Sequence, residues 1–304
     1  PEGEIRCKGD ALHEVFETLL KKDYDAFCVF DADNFVDPAF LSRMNDAFYA
    51  GAKAAKGAMR VKNPEDGPLC ACYGLYFTCF DFFFSRARMN CGLSSKLVGT
   101  GFAVHRSVLE KSHGWNSVTI AEDAEFAAYL AETGTRVWFV PEAVTYDEAP
   151  TSVLVSLRQR RRWSSGVMDV AQVRLGRLAC GVFDEGGLRA LDMLLMLTQP
   201  FCQAASFFLG CALVLPNAAQ TIALLPLGLA GGFLAMTMFA CLLSKIQGRR
   251  YNWRAILLFP LFMASWLPLN LVSLLFRTRV WREIEHGKPA IPAVKRQLFQ
   301  KAEF

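Results

Sequence analysis

Apolar residues fall into two regimes along this chain. Up to about residue 185 they come in short runs and helix-period arrays broken by polar turns; beyond it they merge into three long uncharged stretches. The 3.6-residue spacing of Leu12, Val15, Phe16, Leu19 and Leu20 predicts a helix opening at Lys8 and closing at Lys21 and Lys22. The run Ala26-Phe27-Cys28-Val29-Phe30 then reads as a strand buried on both faces, the kind found in parallel sheets. It leads straight into Asp31-Ala32-Asp33-Asn34. Asp37-Pro38 has the chemistry of a helix start and predicts a second helix to about Ala50, so the acidic pair falls in a tight strand-to-helix loop.

Further on, a strand is predicted over 54–61, closed by the turn signal Asn63-Pro64-Glu65-Asp66-Gly67. The aromatic-dense segment 69–84 reads as core, with a sugar-facing or membrane-facing surface as the alternative. Leu97 to Val104 reads as a strand punctuated by Gly99 and Gly101, whose missing side chains would let backbone approach a ligand beside Thr100. Glu122 and Asp123 open a helix running to about Glu132, where acids also suit the helix dipole. Arg136 to Val140 is a strand before Pro141. A helix from Thr151 carries Gln159, Arg160, Arg161, Arg162 and Trp163.

The uncharged stretches cover 194–215, 218–243 and 255–276, each long enough for the roughly 20 residues that cross a bilayer core. Lys245, Arg249, Arg250 and Arg254 separate the second from the third, which places that loop with the Arg158–Arg162 cluster on the cytoplasmic side and makes the first two stretches a hairpin. Pro260 and Pro268 interrupt the third stretch, and Arg277, Arg279, Arg282 and Lys288 follow it, with Trp281 and His286 among them. That pattern predicts a broken, re-entrant or interfacial segment that returns to the cytoplasm. The organisation expected is therefore a cytoplasmic domain over 1–185, a membrane region over 186–276 and a basic tail over 277–304.

Composition adds little that is independent. A hydrophobic content of 53% reflects the three stretches, and a net charge of +4 comes from local basic clusters with no basic-aromatic interleaving of the nucleic-acid-binding type. The ten cysteines form no Cys-x-x-Cys pair, which fits a reduced, cytosol-facing domain. The chain opens on polar Pro1-Glu2-Gly3-Glu4 with neither methionine nor signal peptide, as a piece of something longer would.

Four features occur in one order: Asp31-Ala-Asp33, Gly99-Thr100-Gly101, Glu122-Asp123, and Gln159-Arg-Arg-Arg162-Trp163 just ahead of apolar helices. This order resembles the processive inverting family 2 glycosyltransferases, the cellulose, chitin, hyaluronan and poly-N-acetylglucosamine synthases, over about residues 5 to 290. The resemblance implies an α/β fold: a GT-A-type (Rossmann-like) catalytic domain, here incomplete at its N-terminus, followed by α-helical transmembrane segments. It implies Asp123 as catalytic base with Glu122 beside it. It places Asp31, Asp33, Arg162, Gln159 and Lys8 at the donor and its diphosphate, with Asp33 and Asp31 holding a divalent cation, Mg or Mn. Trp163 and the Gly99-Thr100-Gly101 loop would meet the acceptor.

The implied partners are a UDP-sugar donor, a glycan acceptor and the lipid bilayer, with no nucleic acid. The implied activity is inverting transfer to a growing β-linked polysaccharide, N-acetylglucosaminyltransferase-like, by a multi-pass plasma-membrane enzyme whose catalytic domain is cytoplasmic. A single-transfer enzyme acting on a lipid acceptor is an alternative. A non-catalytic transporter or scaffold would call for intramembrane charges or lost acidic motifs, and the sequence has neither.

Overall fold

The computed structural model describes residues 7–278. The polar opening at residues 1–4 and the basic segment from Arg279 onward, with Trp281, Arg282, His286 and Lys288, lie outside the described residues.

Helix α1 (Lys8–Leu19) leads to β1 (Ala26–Val29), then to a two-residue β2 (Phe35–Val36) and α2 (Phe40–Tyr49). Next come β3 (Ala54–Val61), α3 (Pro68–Cys79), a wider π-helical continuation over Phe80–Ala87, and the single turn α4 (Arg88–Asn90). The α/β part closes with β4 (Phe102–His105), α5 (Arg106–Lys111), α6 (Glu122–Glu132) and β5 (Val137–Asp147). From there the chain is helical: α7 (Val153–Gly181), α8 (Gly187–Val214), α9 (Ala218–Gln247), α10 (Trp253–Ala264) and α11 (Trp266–Leu275).

The five strands form one mixed sheet in the order β1-β4-β3-β5-β2. Only β3 and β5 run parallel; β1, β2 and β4 pair antiparallel to their neighbours. The expectation that 26–30 lies inside a parallel sheet is therefore corrected. Its apolar run reflects a one-sided burial, with Phe27 and Val29 in the core and Ala26 and Cys28 only partly covered. Residues 97–101 are also not strand: the sheet pairing begins only at Phe102. Gly101 sits at φ +65°, and a Cβ there would come within 2.6 Å of Thr145 Oγ1, so this position demands glycine.

Pro141 does not end its strand. β5 runs through it, and the register against β3 slips between Gly57 and Ala58, leaving Val140 and Val144 as successive partners. A proline without an N–H is tolerated at such a bulge. Beyond the bulge, β3 and β5 extend past the start of β4, and β5 carries β2. The sheet mouth is thus framed by the end of β1, the start of β4 and this overhang.

One core packs α1, α6, α7 and the start of α8 on one face of the sheet around Trp115, Phe102 and Phe126. A second joins α3 to α9 and α10 through Tyr73, Phe77, Phe259 and Phe262. Segment 69–84 accordingly contributes core, but against the apolar helices as well as the sheet. Among the described residues, three helical segments are long and apolar enough to cross a membrane: Gly187–Val214, Thr221–Gln247 and Trp253–Leu275. The third breaks at Ser265, between α10 and α11.

Candidate active site

The acidic loop after β1 is the centre of the site. Asp31 N donates to Thr100 Oγ1 at 3.0 Å, the Thr100 hydroxyl donates to Asn34 Oδ1, and Asn34 Nδ2 donates to Asp147 Oδ1 at 3.1 Å. This relay ties the 31–34 loop to the 99–101 loop and to the end of β5. Lys62 adds a second tie: its ammonium donates to the Asp33 carbonyl at 2.9 Å while pairing with Glu148 at 2.8 Å. Burial, with the Asp33 and Asp31 charges adding to it, lifts the Asp147 carboxyl to about 7.

Gly99 is the meeting point. Its N–H donates to Asp123 Oδ2 at 2.6 Å, and its carbonyl accepts from the Lys8 ammonium, which also pairs with Asp31. A Cβ at Gly99 would lie 3.8 Å from Asp123 Oδ2 and 3.9 Å from Asp31 Oδ2, so the two carboxylates converge on this one backbone position. Asp123 Oδ1 accepts from Ala124 N at 2.8 Å, which fixes the carboxylate at the start of α6. Glu122 is buried, and burial together with the Asp123 charge raises its carboxyl to about 7. The segment before them is anchored by Glu125, whose Oε2 accepts from Val118 N and Thr119 N at 2.8 and 2.9 Å. Its Oε1 pairs with buried Arg174 at 3.1 Å.

Helix α7, which carries the Gln-x-x-Arg-Trp signature, packs against the turn that precedes Glu122 and Asp123. Gly166 lies so close to Ala121 that a Cβ on it would come within 2.7 Å of the Ala121 Cβ. Trp163 lies three residues, about one turn, before Gly166 on the same helix. Gln159 Oε1 accepts from Tyr73 Oη at 3.1 Å. Trp163 is half-buried in an aromatic row, 6.3 Å from Tyr73 and stacked 6.4 Å from Trp266.

The arginines divide the work. Arg160 is buried, donating to Phe262 O at 3.1 Å and Ser265 Oγ at 2.7 Å at the α10–α11 break, with Phe262 and Trp266 rings under its guanidinium. Arg161 donates to Phe276 O at 2.9 Å. Arg162 makes no hydrogen bond or ion pair among the described residues, and its Nε is buried without a partner. Flanking charge at a membrane therefore does not describe Arg160, which serves packing, whereas Arg162 makes no such contact among the described residues.

The structure thus brings Lys8, Asp31, Gly99, Thr100 and Asp123 into direct contact and sets Asp33 and Glu122 beside them. Gln159 and Trp163 lie against Tyr73 of α3, Arg162 stands between them on α7, and Gly101 supports the loop from beneath. The sequence reading missed Asn34, Asp147, Lys62 and Gly166. Asp147 had a signal, a carboxylate at the end of a strand in the same open sheet.

As a donor set for a metal, Asp31 and Asp33 supply two carboxylates; no group of three or more His, Cys, Asp or Glu side chains is placed for one among the described residues. Two oxygen donors at a cleft mouth fit a hard cation that completes its shell with water and substrate phosphate.

A mixed sheet with this acidic mouth, followed by apolar helices, is a GT-A-type glycosyltransferase architecture. The chain belongs to the glycosyl transferase family group 2, whose model matches residues 26–280. It is 27% identical over 294 residues to the Bacillus subtilis (strain 168) protein named probable glycosyltransferase YdaM, covering 90% of this chain and 66% of that one. It is 26% identical to a UDP-forming cellulose synthase catalytic protein of Dictyostelium discoideum, across 67% of this chain and 19% of the relative. Identity is likewise 26% to glucomannan 4-beta-mannosyltransferase 7 of Arabidopsis thaliana, across 56% and 31%. Among solved structures, mannosyltransferase PcManGT from Pyrobaculum calidifontis, in complex with GDP-Man and Mn2+, matches with a TM-score of 0.50 at 19% identity. That match covers 90% of this chain and 68% of the other, and it bears on the fold. The chain spans less than two thirds of these curated relatives' lengths.

Proposed function

We propose that the chain transfers a sugar from a nucleotide-diphosphate donor, with inversion, to a hydroxyl of a growing β-linked polysaccharide. The observation that carries this reading is the convergence of Asp123 and Asp31 on Gly99, one carboxylate for the acceptor and one for the donor. In a single displacement the acceptor oxygen attacks the anomeric carbon while its proton passes to Asp123. The bond to the diphosphate breaks with its electron pair staying on the phosphate oxygen. The Gly99 and Ala124 N–H groups hold the Asp123 carboxylate in place for that proton. A Mg or Mn ion bound at Asp31 and Asp33 would neutralise charge developing on the diphosphate. Lys8 orients Asp31, and Arg162 supplies charge-assisted hydrogen bonds to the leaving group. Gln159 contributes its free amide N–H nearby, and Trp163 offers an apolar face to the acceptor's terminal sugar. The names of the relatives support a β-linked hexose polymer; a UDP-sugar donor of the N-acetylglucosamine type follows from the resemblance.

We further propose that the catalytic domain faces the cytoplasm at the plasma membrane, with α8 and α9 crossing as a hairpin. Arg249, in the loop after α9, pairs with Glu65 at 2.6 Å, and the Tyr251 ring packs on Gly74, so that loop lies against the catalytic domain. The α10–α11 segment begins there and ends beside α7, where Thr278 N donates to Ser165 Oγ and Arg277 pairs with Asp169. Both ends meeting the same domain supports a re-entrant or interfacial path.

The test is incubation of membranes holding the protein with labelled UDP- and GDP-sugars, reading polymeric product and its anomeric configuration. A β-linked product from an α-linked donor is expected. A retained configuration, or a label found only in a lipid-linked monosaccharide, contradicts the reading.

A further inference from the structure

Several cations near the acidic loop find an anion or an oxygen. Lys8 pairs with Asp31, Arg60 with Asp81, Lys62 with Glu148 and Arg88 with Asp192. Buried Lys56 donates to the Gly57 carbonyl at 3.0 Å. Lys96 makes no ion pair and no side-chain hydrogen bond among the described residues. Its ammonium lies 4.4 Å from the centroid of the Phe80 ring and 5.7 Å from that of Phe84. Aromatic faces only partly replace the hydration an ammonium loses.

The position of this cation is well defined. Its backbone N–H donates to Phe84 O at 3.0 Å, and it stands three residues before Gly99 on the loop that holds Asp123. Burial pushes its ammonium down to about 8, against the pull of the Asp123 charge and with Arg88 adding to the push. Its rings belong to the row that contains Trp163. From Trp163 the row passes to Trp266 at 6.4 Å, then to Tyr76 at 5.7 Å and to Phe80 at 5.4 Å, where Lys96 sits.

We propose that Lys96 forms an anion subsite on the acceptor side of the cleft, taking a carboxylate or phosphate group carried by the acceptor. The aromatic row supplies the apolar platform for sugar rings, and Lys96 supplies an unpaired, partly buried positive charge on the loop that holds Asp123. Such a site favours an anionic acceptor over a neutral one of the same size, because only the anion compensates the lysine's lost hydration. The proposal rests on the acceptor-side reading of Asp123 and Trp163.

The test is equilibrium binding to the full chain in detergent or nanodiscs, without turnover, so that a failure of the transferase reading stays separate from a failure of this one. The probes are a β-linked oligosaccharide ending in glucose, the same chain ending in glucuronate, and the same chain ending in glucose phosphate. Wild type is expected to bind one of the anionic probes on the order of tenfold tighter than the neutral one. That preference should shrink with added salt, persist in Lys96→Arg and collapse in Lys96→Met. Preference for glucuronate identifies a uronate acceptor, and preference for the phosphate a phosphorylated one. Equal binding of all three probes by wild type overturns the proposal. So does a preference that survives in Lys96→Met; should that variant not fold, a wild-type preference insensitive to salt is equally contrary. Transfer from labelled donor, run on the same samples, tests the enzymatic reading by itself.

Discussion

Gly166 on α7 and Ala121 ahead of α6 are in contact that only glycine permits, since a Cβ at Gly166 would approach the Ala121 Cβ to 2.7 Å. This contact sets the helix bearing Arg162 and Trp163 against the turn that presents Glu122 and Asp123. Gly166→Ala gains helix propensity of about 1 kcal/mol yet must push the two apart. Transfer should fall by about 10²-fold, the scale on which small misplacements act, with donor affinity weakened as well because Arg162 rides on the displaced helix. Adding Ala121→Gly should restore much of the rate. A single variant at wild-type rate, or a double variant with no recovery, would show that the spacing is unimportant.

The relay from Asp31 through Thr100 and Asn34 to Asp147 orients the acidic loop. Thr100→Val is close to isosteric and removes the hydroxyl at its centre. Partners of this kind typically contribute about 10- to 100-fold in metal affinity or activity. Calorimetry should show metal-dependent donor binding weakened by about tenfold, with Tm lowered by only a few degrees for the lost buried hydrogen bonds. Unchanged binding would limit the threonine to packing.

Two adjacent arginines should fail differently. Arg160 closes the α10–α11 break, and each hydrogen bond of a charged group is worth about 1.5–3 kcal/mol, so Arg160→Met should lower Tm by several degrees. Arg162→Met should fold normally and lose donor affinity. Equal thermal losses in the two would contradict the division between them.

Glu122 gives a pH prediction with a definite sign. Its carboxyl titrates near 7 in the fold, raised by burial and then by the Asp123 charge, against an ordinary value of 4.5. The folded chain binds that proton more tightly than the unfolded chain does. This group therefore destabilises the fold progressively as pH rises from 4.5 to about 7, and has no such effect below. The Tm of wild type should fall more steeply across that window than that of Glu122→Gln, in which every other titrating group is shared. Parallel slopes would show an ordinary carboxylate.

Local pattern made much of this legible. The apolar run to Asp31, the helix opening at Glu122 and the long helix through Gln159 to Trp163 depend on short-range periodicity and turn chemistry, and each stands where the sequence puts it. Strand direction was not legible, because the four residues of β1 carry the same apolar run whether they pair parallel or antiparallel. The Lys8–Asp31, Gly99–Asp123 and Asn34–Asp147 contacts close over long sequence distances and leave no periodic trace. Arg160 shows the same limit: one more arginine in a basic run on paper, it is buried against two rings in the fold.

Asp123→Asn tests the central claim most directly. The amide keeps the shape and can still accept from the Gly99 N–H, but it cannot take a proton from the acceptor hydroxyl. Positioned bases typically contribute about 10² to 10⁴-fold, so the sugar-transfer rate should drop by at least about 10²-fold. Mg- or Mn-dependent donor binding by calorimetry should stay near wild type in the same preparation. A variant retaining more than about a tenth of the wild-type rate would contradict the assignment. It would leave Asp123 as an acid placed to suit the first turn of α6.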